Sequence, residues 1–415
     1  MEEQKNIPEL RFPEFSGDWE VKKLGDLLEF KNGINASREQ YGKGVKFINV
    51  LDILNNELIT YDKIIGKVDV DDITVSKYPV NYGDILFQRS SETREEVGTA
   101  CVYLDKDHTA TFGGFVIRGR KIANYDPVFL NKLLKTDSAR DEITSKSGGS
   151  TRYNVGQETL SSVKLYFPHI KEQEKIASFL TAIDEKLQAL KKKKSLLEQY
   201  KKGVMQKIFS QEVRFKDDNE KAFPEWKTKK IGDITSLLKD GTHGTHKDSN
   251  SEGYYLLSAK NIINGKINID SSDRKISKDD YDSIYKNYQL KPGDILLTIV
   301  GTIGRSAIWQ GDLENIAFQR SVAIFRFKEC IPEFMYQIFC QEFFQTELLK
   351  RQVVSAQPGI YLGDLAKIEL SLPTLPEQKR ISTLLSSIDE KINYCNTQIE
   401  KTEQYKKGLL QKMFV

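Results

Sequence analysis

Two stretches of the chain carry apolar residues at heptad spacing. In 176–208 one row is Ile176, Ile183, Leu190, Leu197 and Val204, and the other is Leu180, Leu187, Lys194, Lys201 and Ile208. The second stretch has Ile381, Ile388, Cys395, Thr402 and Leu409 beside Leu385, Ile392, Ile399, Lys406 and Met413. Alternating steps of three and four place both rows on one seam of a helix. Each pattern predicts a helix of about 38 residues, roughly 57 Å long at 1.5 Å per residue. Thr374-Leu375-Pro376-Glu377 fits a capping box, with Pro376 in the first turn, where its missing N–H costs nothing; His169 is the weaker cap of the first helix. A long helix with one apolar stripe needs a partner. Each could pack on its own globular domain, but the pattern favours packing on each other, antiparallel about a pseudo-two-fold axis. Lys194, Lys201 and Lys406 interrupt the seam, where long lysine stems can snorkel.

Outside these stretches the pattern changes to short β-branched or aromatic runs bounded by Gly, Asn and Asp. They predict strands at 45–50, 84–88, 100–104, 112–118 and 163–167, and again at 254–259, 294–299, 306–309, 318–327 and 367–372. Asp126-Pro127 opens a helix at about 127–146. Pro332-Glu333 opens another at about 332–351, with Phe334, Met335, Ile338, Phe339, Phe343 and Leu348 on its buried side. The fold class expected is α+β: two mixed, strand-rich domains joined by two long antiparallel helices. The expected boundaries are 1–167, 168–210, 211–372 and 373–415.

The two halves are a duplication. Residues 168–210 align without a gap on 373–415, at an offset of 205, and 18 of 43 positions are identical. The unit is far too long for a solenoid repeat. Fainter echoes continue outside the helices. Gly83-Asp-Ile-Leu86 returns as Gly293-Asp-Ile-Leu296, and Phe12-Pro-Glu-Phe15 with Trp19 returns as Phe223-Pro-Glu-Trp226. Between these landmarks the halves differ widely.

Composition adds little beyond exclusions. With 39% hydrophobic and 29% charged residues, 415 residues suffice for two or three domains with real cores. No apolar run is long enough to span a bilayer, and the start lacks a signal-peptide pattern, so a cytoplasmic protein without membrane partners is expected. The four cysteines (Cys101, Cys330, Cys340, Cys395) are scattered, and none forms a CxxC pair. The net charge of +3 permits nucleic-acid binding without arguing for it.

A search for catalytic motifs fails. There is no GxxxxGK[ST], HExxH, GxSxG or GxGxxG, and no Asn-Pro-Pro-Tyr type motif for base methylation. Phe112-Gly-Gly-Phe115 reads as a bend within a strand pattern. His243 and His246 have metal-ligand spacing but no third ligand nearby. What recurs are polar, basic loops next to strands: Lys31-Asn32-Gly33, Gln88 to Arg94, and Ser147 to Asn154 in the first domain. The second has Lys239 to His246, Thr302 to Arg305, Gln319-Arg320-Ser321 and Ser355 to Gly359. Arg, Lys, Gln, Asn, Ser and Thr are the types that bond phosphates and base edges. A single such loop is more often a solvated connector; the signal lies in their recurrence at matching places.

These features together resemble the specificity subunit of a type I restriction–modification system. The carriers are Pro168, Glu172-Gln173, Ile176 and Ile183-Asp-Glu-Lys186 with their copies at 373–391, the Phe12 and Phe223 echoes, and the two Gly-Asp-Ile-Leu blocks. The resemblance implies two target recognition domains, each reading half of an asymmetric, bipartite duplex DNA site. It implies helices that set the spacer and help dock two modification (methyltransferase) subunits, joined by restriction/translocase subunits. The chain itself would hold no catalytic residue, cofactor or metal. S-adenosylmethionine would belong to the modification subunit, and ATP and Mg to the restriction subunit. By the same analogy the DNA face comprises Lys31, Asn32, Gln88, Arg89, Arg94, Thr151, Arg152, Tyr153 and Asn154 in the first domain. In the second it comprises Lys239, Thr242, His243, Thr245, His246, Thr302, Arg305, Gln319, Arg320 and Gln357.

The best-kept phrase, EQYKKGVMQKIF at 198–209 and EQYKKGLLQKMF at 403–414, ends each helix. Gly203 and Gly408 within it suggest a close contact or the onset of fraying. Val204, Met205, Ile208 and Phe209, and Leu409, Leu410, Met413 and Phe414, form apolar tips. They either close the neighbouring core or dock the modification subunits, and docking is the sharper expectation. Two alternatives stay open: a DNA-binding protein acting alone, and a coiled-coil scaffold whose domains bind protein or glycan.

Overall fold

The computed structural model describes residues 6–249, 253–353 and 358–415. The chain forms two compact units. One consists of residues up to Lys192 together with Thr397–Val415; the other is Lys193–Asn396. The expected linear partition is thus interleaved, because each long helix contributes one end to each unit. Those helices run Ile170–Phe209 and Leu375–Lys412.

The first unit is built on a four-stranded antiparallel sheet, ordered Leu28–Asn32, Val116–Lys121, Ile85–Gln88, Ala100–Val102. Both faces are covered. Ile85 and Phe87 point into a cluster with Trp19, Phe129 and Leu180, while Leu86 points into another with Tyr103 and Phe112. Period-two alternation therefore reads as an unbroken apolar run, because water meets neither face. A strand at Tyr41–Ile48 pairs in parallel with Thr111–Phe112, and Glu20–Lys23 pairs antiparallel with Lys164–Phe167.

The second unit repeats this plan. Its sheet is ordered Thr235–Asp240, Val322–Phe327, Ile295–Thr298, Ser306–Ile308. Tyr255–Leu257 pairs in parallel with Ile316–Phe318, and Lys227–Lys230 antiparallel with Glu369–Leu372. The repeated Gly-Asp-Ile-Leu block has a structural cause. Gly83 and Gly293 turn at φ 88° and 91°, where a side chain is strained. The aspartate that follows is buried and closes the turn: Asp84 accepts from the Asn81 N–H at 2.9 Å, and Asp294 from the Lys291 N–H at 2.8 Å. Each also meets an arginine of the neighbouring strand, Arg120 at 3.2 Å and Arg326 at 2.7 Å.

Both predicted single helices are broken in two. The first is Pro127–Leu133 and Asp137–Ser145, restarted by Thr136, whose hydroxyl accepts from the Ala139 N–H. The second is Pro332–Phe339 and Glu342–Lys350. The restart shifts the helical phase, so Phe344 is buried and Phe343, expected inside, is exposed.

Within each unit the helix ends run antiparallel. In the first unit Asp184 meets Lys406 at 2.7 Å and Lys191 meets Glu403 at 2.7 Å. In the second, Lys201 meets Asp389 at 2.6 Å, while Ile208 shares a core with Ile381. Lys201 and Lys406, two of the three seam interruptions, therefore do not snorkel to water. Each pairs with the aspartate of the other helix's Ile-Asp-Glu-Lys block, while Lys194 meets Glu198 of its own helix at 3.7 Å. The anticipated capping box is not made either. Thr374 Oγ1 is buried without a partner, and the Glu377 carboxylate is engaged instead by Arg214 at 2.8 Å and by the Trp226 indole N–H at 3.2 Å.

Candidate nucleic-acid interface

In each unit, backbone pairing gathers loops that are far apart in sequence. In the first unit Tyr153-Asn154 forms a two-residue ladder with Ser90-Ser91, and the Val155 N–H donates to the Arg89 carbonyl at 3.0 Å. The Arg89 N–H donates to the Phe115 carbonyl at 2.9 Å, and the Gly33 N–H to the Val116 carbonyl at 3.2 Å. Gly33 and Arg89 therefore border the Gly113–Phe115 bend, and the 151–154 turn is joined to it through the 89–91 strand end. Gly33 is required there, since a Cβ on it would lie 2.2 Å from the Gly113 carbonyl oxygen.

The second unit makes the same crossing with other residues. Thr242 bridges Gln319 in parallel, its N–H donating to Phe318 at 2.8 Å, and the Arg320 N–H returns to Thr242 at 3.0 Å. A Cβ on Gly241 would meet the Phe318 oxygen at 2.0 Å, which explains the shared Lys-x-Gly spacing of both units. Val300 bridges Gly359, and the Gly301 N–H donates to Pro358 at 3.0 Å. These loops enclose an open cleft of about 570 Å³ lined by Asp240, His243, Arg320, Gly359 and Tyr361, among others.

The side chains divide into free and committed groups. Arg152, Arg305 and Arg320 are exposed, and no hydrogen bond or ion pair engages their guanidinium groups among the described residues. Thr151, Thr245 and Thr302 are exposed beside them, while Asn32 and Gln319 are half-buried at strand ends. Other expected readers are occupied. The Lys31 ammonium donates to the Lys77 carbonyl at 2.8 Å and sits 4.5 Å from the Tyr78 ring centre. Lys239 donates to the Asn287 carbonyl at 3.0 Å, and Arg94 to the Thr144 carbonyl at 3.3 Å, near the end of a helix. Gln88 is buried and donates to the Ser90 carbonyl, so it braces the loop from beneath. Asn154 is held between the Ser90 hydroxyl and the Arg152 carbonyl.

The two histidines have separate partners. His243 pairs with Asp240 at 2.6 Å, and His246 is spanned between Thr242 at 2.9 Å and Asp280 at 2.9 Å. Hydrogen bonds from His246 and Ser277 hold the Asp280 carboxyl below its ordinary range. Each imidazole thus cross-braces its loop, and no cluster suited to a metal ion exists among the described residues. Gln357 lies outside the described residues.

Sequence reading missed Phe115 and Tyr361, aromatic side chains 65% and 67% exposed on these loops. A solvent-exposed aromatic next to the Gly113-Gly114 pair was the available signal, masked by its resemblance to a core strand.

The helix tips pack into the cores of the two units. Leu409, Met413 and Phe414 are buried in the core of the first unit, where Phe414 meets Trp19 and Phe129 at ring distances of 6.2 and 5.4 Å. Met205 and Ile208 are buried in the core of the second, and Phe209 meets Trp226 and Phe334 at 6.2 and 5.8 Å. Val204 and Leu410 pack against the same cores. Met205, Ile208, Leu409, Met413 and Phe414 are thus spent on folding, while Val204, Phe209 and Leu410 stay half-buried.

Comparison with known proteins agrees with this anatomy. The family model for the type I restriction modification DNA specificity domain matches twice, over residues 16–199 and 224–404. The MjaVIII type I restriction enzyme specificity subunit of Methanocaldococcus jannaschii is 27% identical, over 98% of this chain and 93% of that protein. The crystal structure of a type I restriction–modification S subunit from M. genitalium superposes with a TM-score of 0.62 at 15% identity, covering 99% of both chains. A chain from a structure of type I system complex assembly aligns at a TM-score of 0.53 and 16% identity, over 95% of this chain and 97% of that one. No helix among the described residues is long and apolar enough to cross a membrane.

Proposed function

The chain belongs to the type I restriction–modification DNA specificity family, and from that premise we propose that each unit reads one half of an asymmetric, bipartite duplex site. The observation that carries this reading is the contrast between a repeated frame and unrepeated loops. The sheets, the Gly-Asp turns and the helix ends recur element by element, while the gathered loops present Arg89, Tyr153 and Asn154 in one unit and Thr242, Gln319 and Arg320 in the other. Equivalent scaffolds with unlike edges suit two unlike half-sites. The unengaged Arg152, Arg305 and Arg320 suit phosphate contacts that set register, and the braced Asn and Thr groups suit base edges. Binding of this kind weakens steeply with salt.

The chain is the reading subunit and does no chemistry. Modification subunits would bring S-adenosylmethionine, and restriction subunits ATP and Mg. With the tips buried, we assign docking of the two modification subunits to the outer face of the repeated phrase, where Tyr200 and Tyr405 occupy equivalent positions and are each 56% exposed. The test is a swap of 222–372 for another recognition domain, followed by mapping of methylated adenines. One half of the motif is expected to change. A change in both halves would overturn the assignment of one half-site per unit.

A further inference from the structure

The same place in the two units is filled in one and open in the other. In the first unit Glu57 enters beside the helices and meets Lys135 at 3.0 Å, Lys132 at 3.5 Å and Lys406 at 2.9 Å, while Lys132 and Lys406 also hold Asp184. At the offset of 205, Lys132 corresponds to Gln337, Asp184 to Asp389 and Lys135 to Cys340. Two cations are thus lost from this place in the second unit, and no counterpart of Glu57 enters it among the described residues. An open cleft of about 590 Å³ stands there, between the Asn264-Gly265 turn and the distal helix. Asp312, Glu333, Asp389 and Glu390 line it, with Lys266 the one cation on its wall among the described residues. Only Asp389 has an internal partner among these carboxylates; Asp312, Glu333 and Glu390 make no ion pair or hydrogen bond among the described residues.

A second observation points to a donor. Gln337 is 1% exposed and lines this cleft. Its amide N–H donates to Asp389 at 2.8 Å, which fixes the amide orientation, and its Oε1 is buried with no partner. Buried acceptors are nearly always satisfied, so this orphan beside unpaired carboxylates leaves a place for a hydrogen-bond donor. The wall formed by Asn264 and Gly265 turns at φ 53° and 75°, with Gly265 against Tyr336.

We propose that this cleft binds a guanidinium or alkylammonium group, which supplies the positive charge that Lys132 and Lys135 supply in the first unit. The source is either a basic side chain of a partner protein or a free polyamine. The site can be tested on the full chain alone, without DNA or methyltransferase, so its failure and failure of the half-site reading are separable. Calorimetric titration with Nα-acetyl-arginine N-methylamide should show saturable binding that weakens with added salt. The double variant Glu333→Gln, Glu390→Gln should bind about tenfold more weakly. Gln337→Lys, which restores the first unit's cation from within, should abolish binding while the thermal unfolding midpoint holds or rises. A parallel titration with spermidine distinguishes the sources: tighter binding than the arginine probe indicates a polyamine, weaker binding a side chain. Absence of saturable binding to either probe, or equal affinity in the wild type and both variants, would overturn the proposal.

Discussion

The two units share a frame but differ in how they fasten the helix ends. In the first, an arginine–glutamate clamp joins Arg11 to Glu172 through bonds of 2.8 and 2.7 Å, and the Trp19 indole N–H is buried without a partner. In the second, Arg214 clamps Glu377 at 3.2 and 2.8 Å, and the Trp226 indole adds a third bond to the same carboxylate. The first unit closes its helix seam with a five-membered charge network, the second with Lys201, Asp389 and Gln337. A duplicated frame therefore keeps its buried carboxylates and lets their partners drift. What is retained is the need to satisfy a charge, since an unpaired buried one is costly.

The largest expected effect lies at the tips. Phe414→Ala should cost about 4 kcal/mol, since it empties a site between two buried rings, while Phe209→Ala, half-buried, should cost about 2 kcal/mol. Denaturant unfolding followed separately at Trp19 and Trp226 would show this; an equal loss in both units would break the contrast. Next come the clamps. Arg11→Ala should cost about 4 kcal/mol and Arg214→Ala about 3 kcal/mol, because Glu377 retains its indole partner when the arginine is lost. The reverse order in unfolding midpoints would refute the role given to Trp226.

A smaller effect concerns the seam. Lys406→Met should cost about 2 kcal/mol, more than Lys201→Met, since it deprives both Glu57 and Asp184 of a cation. The pH dependence carries a sign. Burial pushes Glu57 upward, but the charges of Lys135, Lys132 and Lys406 outweigh it and hold its pKa below the ordinary range. Its contribution is therefore complete above its unfolded value, about 4.3, and is lost as pH falls below that. Glu57→Gln should flatten the acid side of the stability profile; an unchanged profile would remove Glu57 from the account. The smallest effect is a gain. A Cβ on Gly203 or Gly408 meets nothing within 4 Å, and both helices continue past these residues. Gly203→Ala and Gly408→Ala should each stabilise by about 1 kcal/mol in thermal melts. A loss at either would restore the close contact first suspected there.

Much of this anatomy was legible in one dimension. Heptad rows marked both helices, and strand runs at 84–88 and 294–299 found the central strands, because both depend on local periodicity. The edge strands Glu20–Lys23 and Lys227–Lys230 were missed because they are exposed and charged, with no apolar alternation to read. The loops of the candidate interface were found by residue type, yet type could not separate Arg320, unengaged, from Lys31 and Lys239, whose ammonium groups bond carbonyls 46 and 48 residues away.

The duplication, the two long helices, the α+β character and the absence of catalytic motifs are all written along the chain. Each rests on identity or on periodicity along the chain. Folding alone set that the apolar tips close cores, that Glu377 serves Arg214 and Trp226 instead of a cap, and that Lys201 and Lys406 pair with aspartates. Those outcomes depend on which group lies within hydrogen-bond reach after folding. A buried carboxylate or ring takes the partner that best removes it from water, and the partner's distance along the chain does not enter.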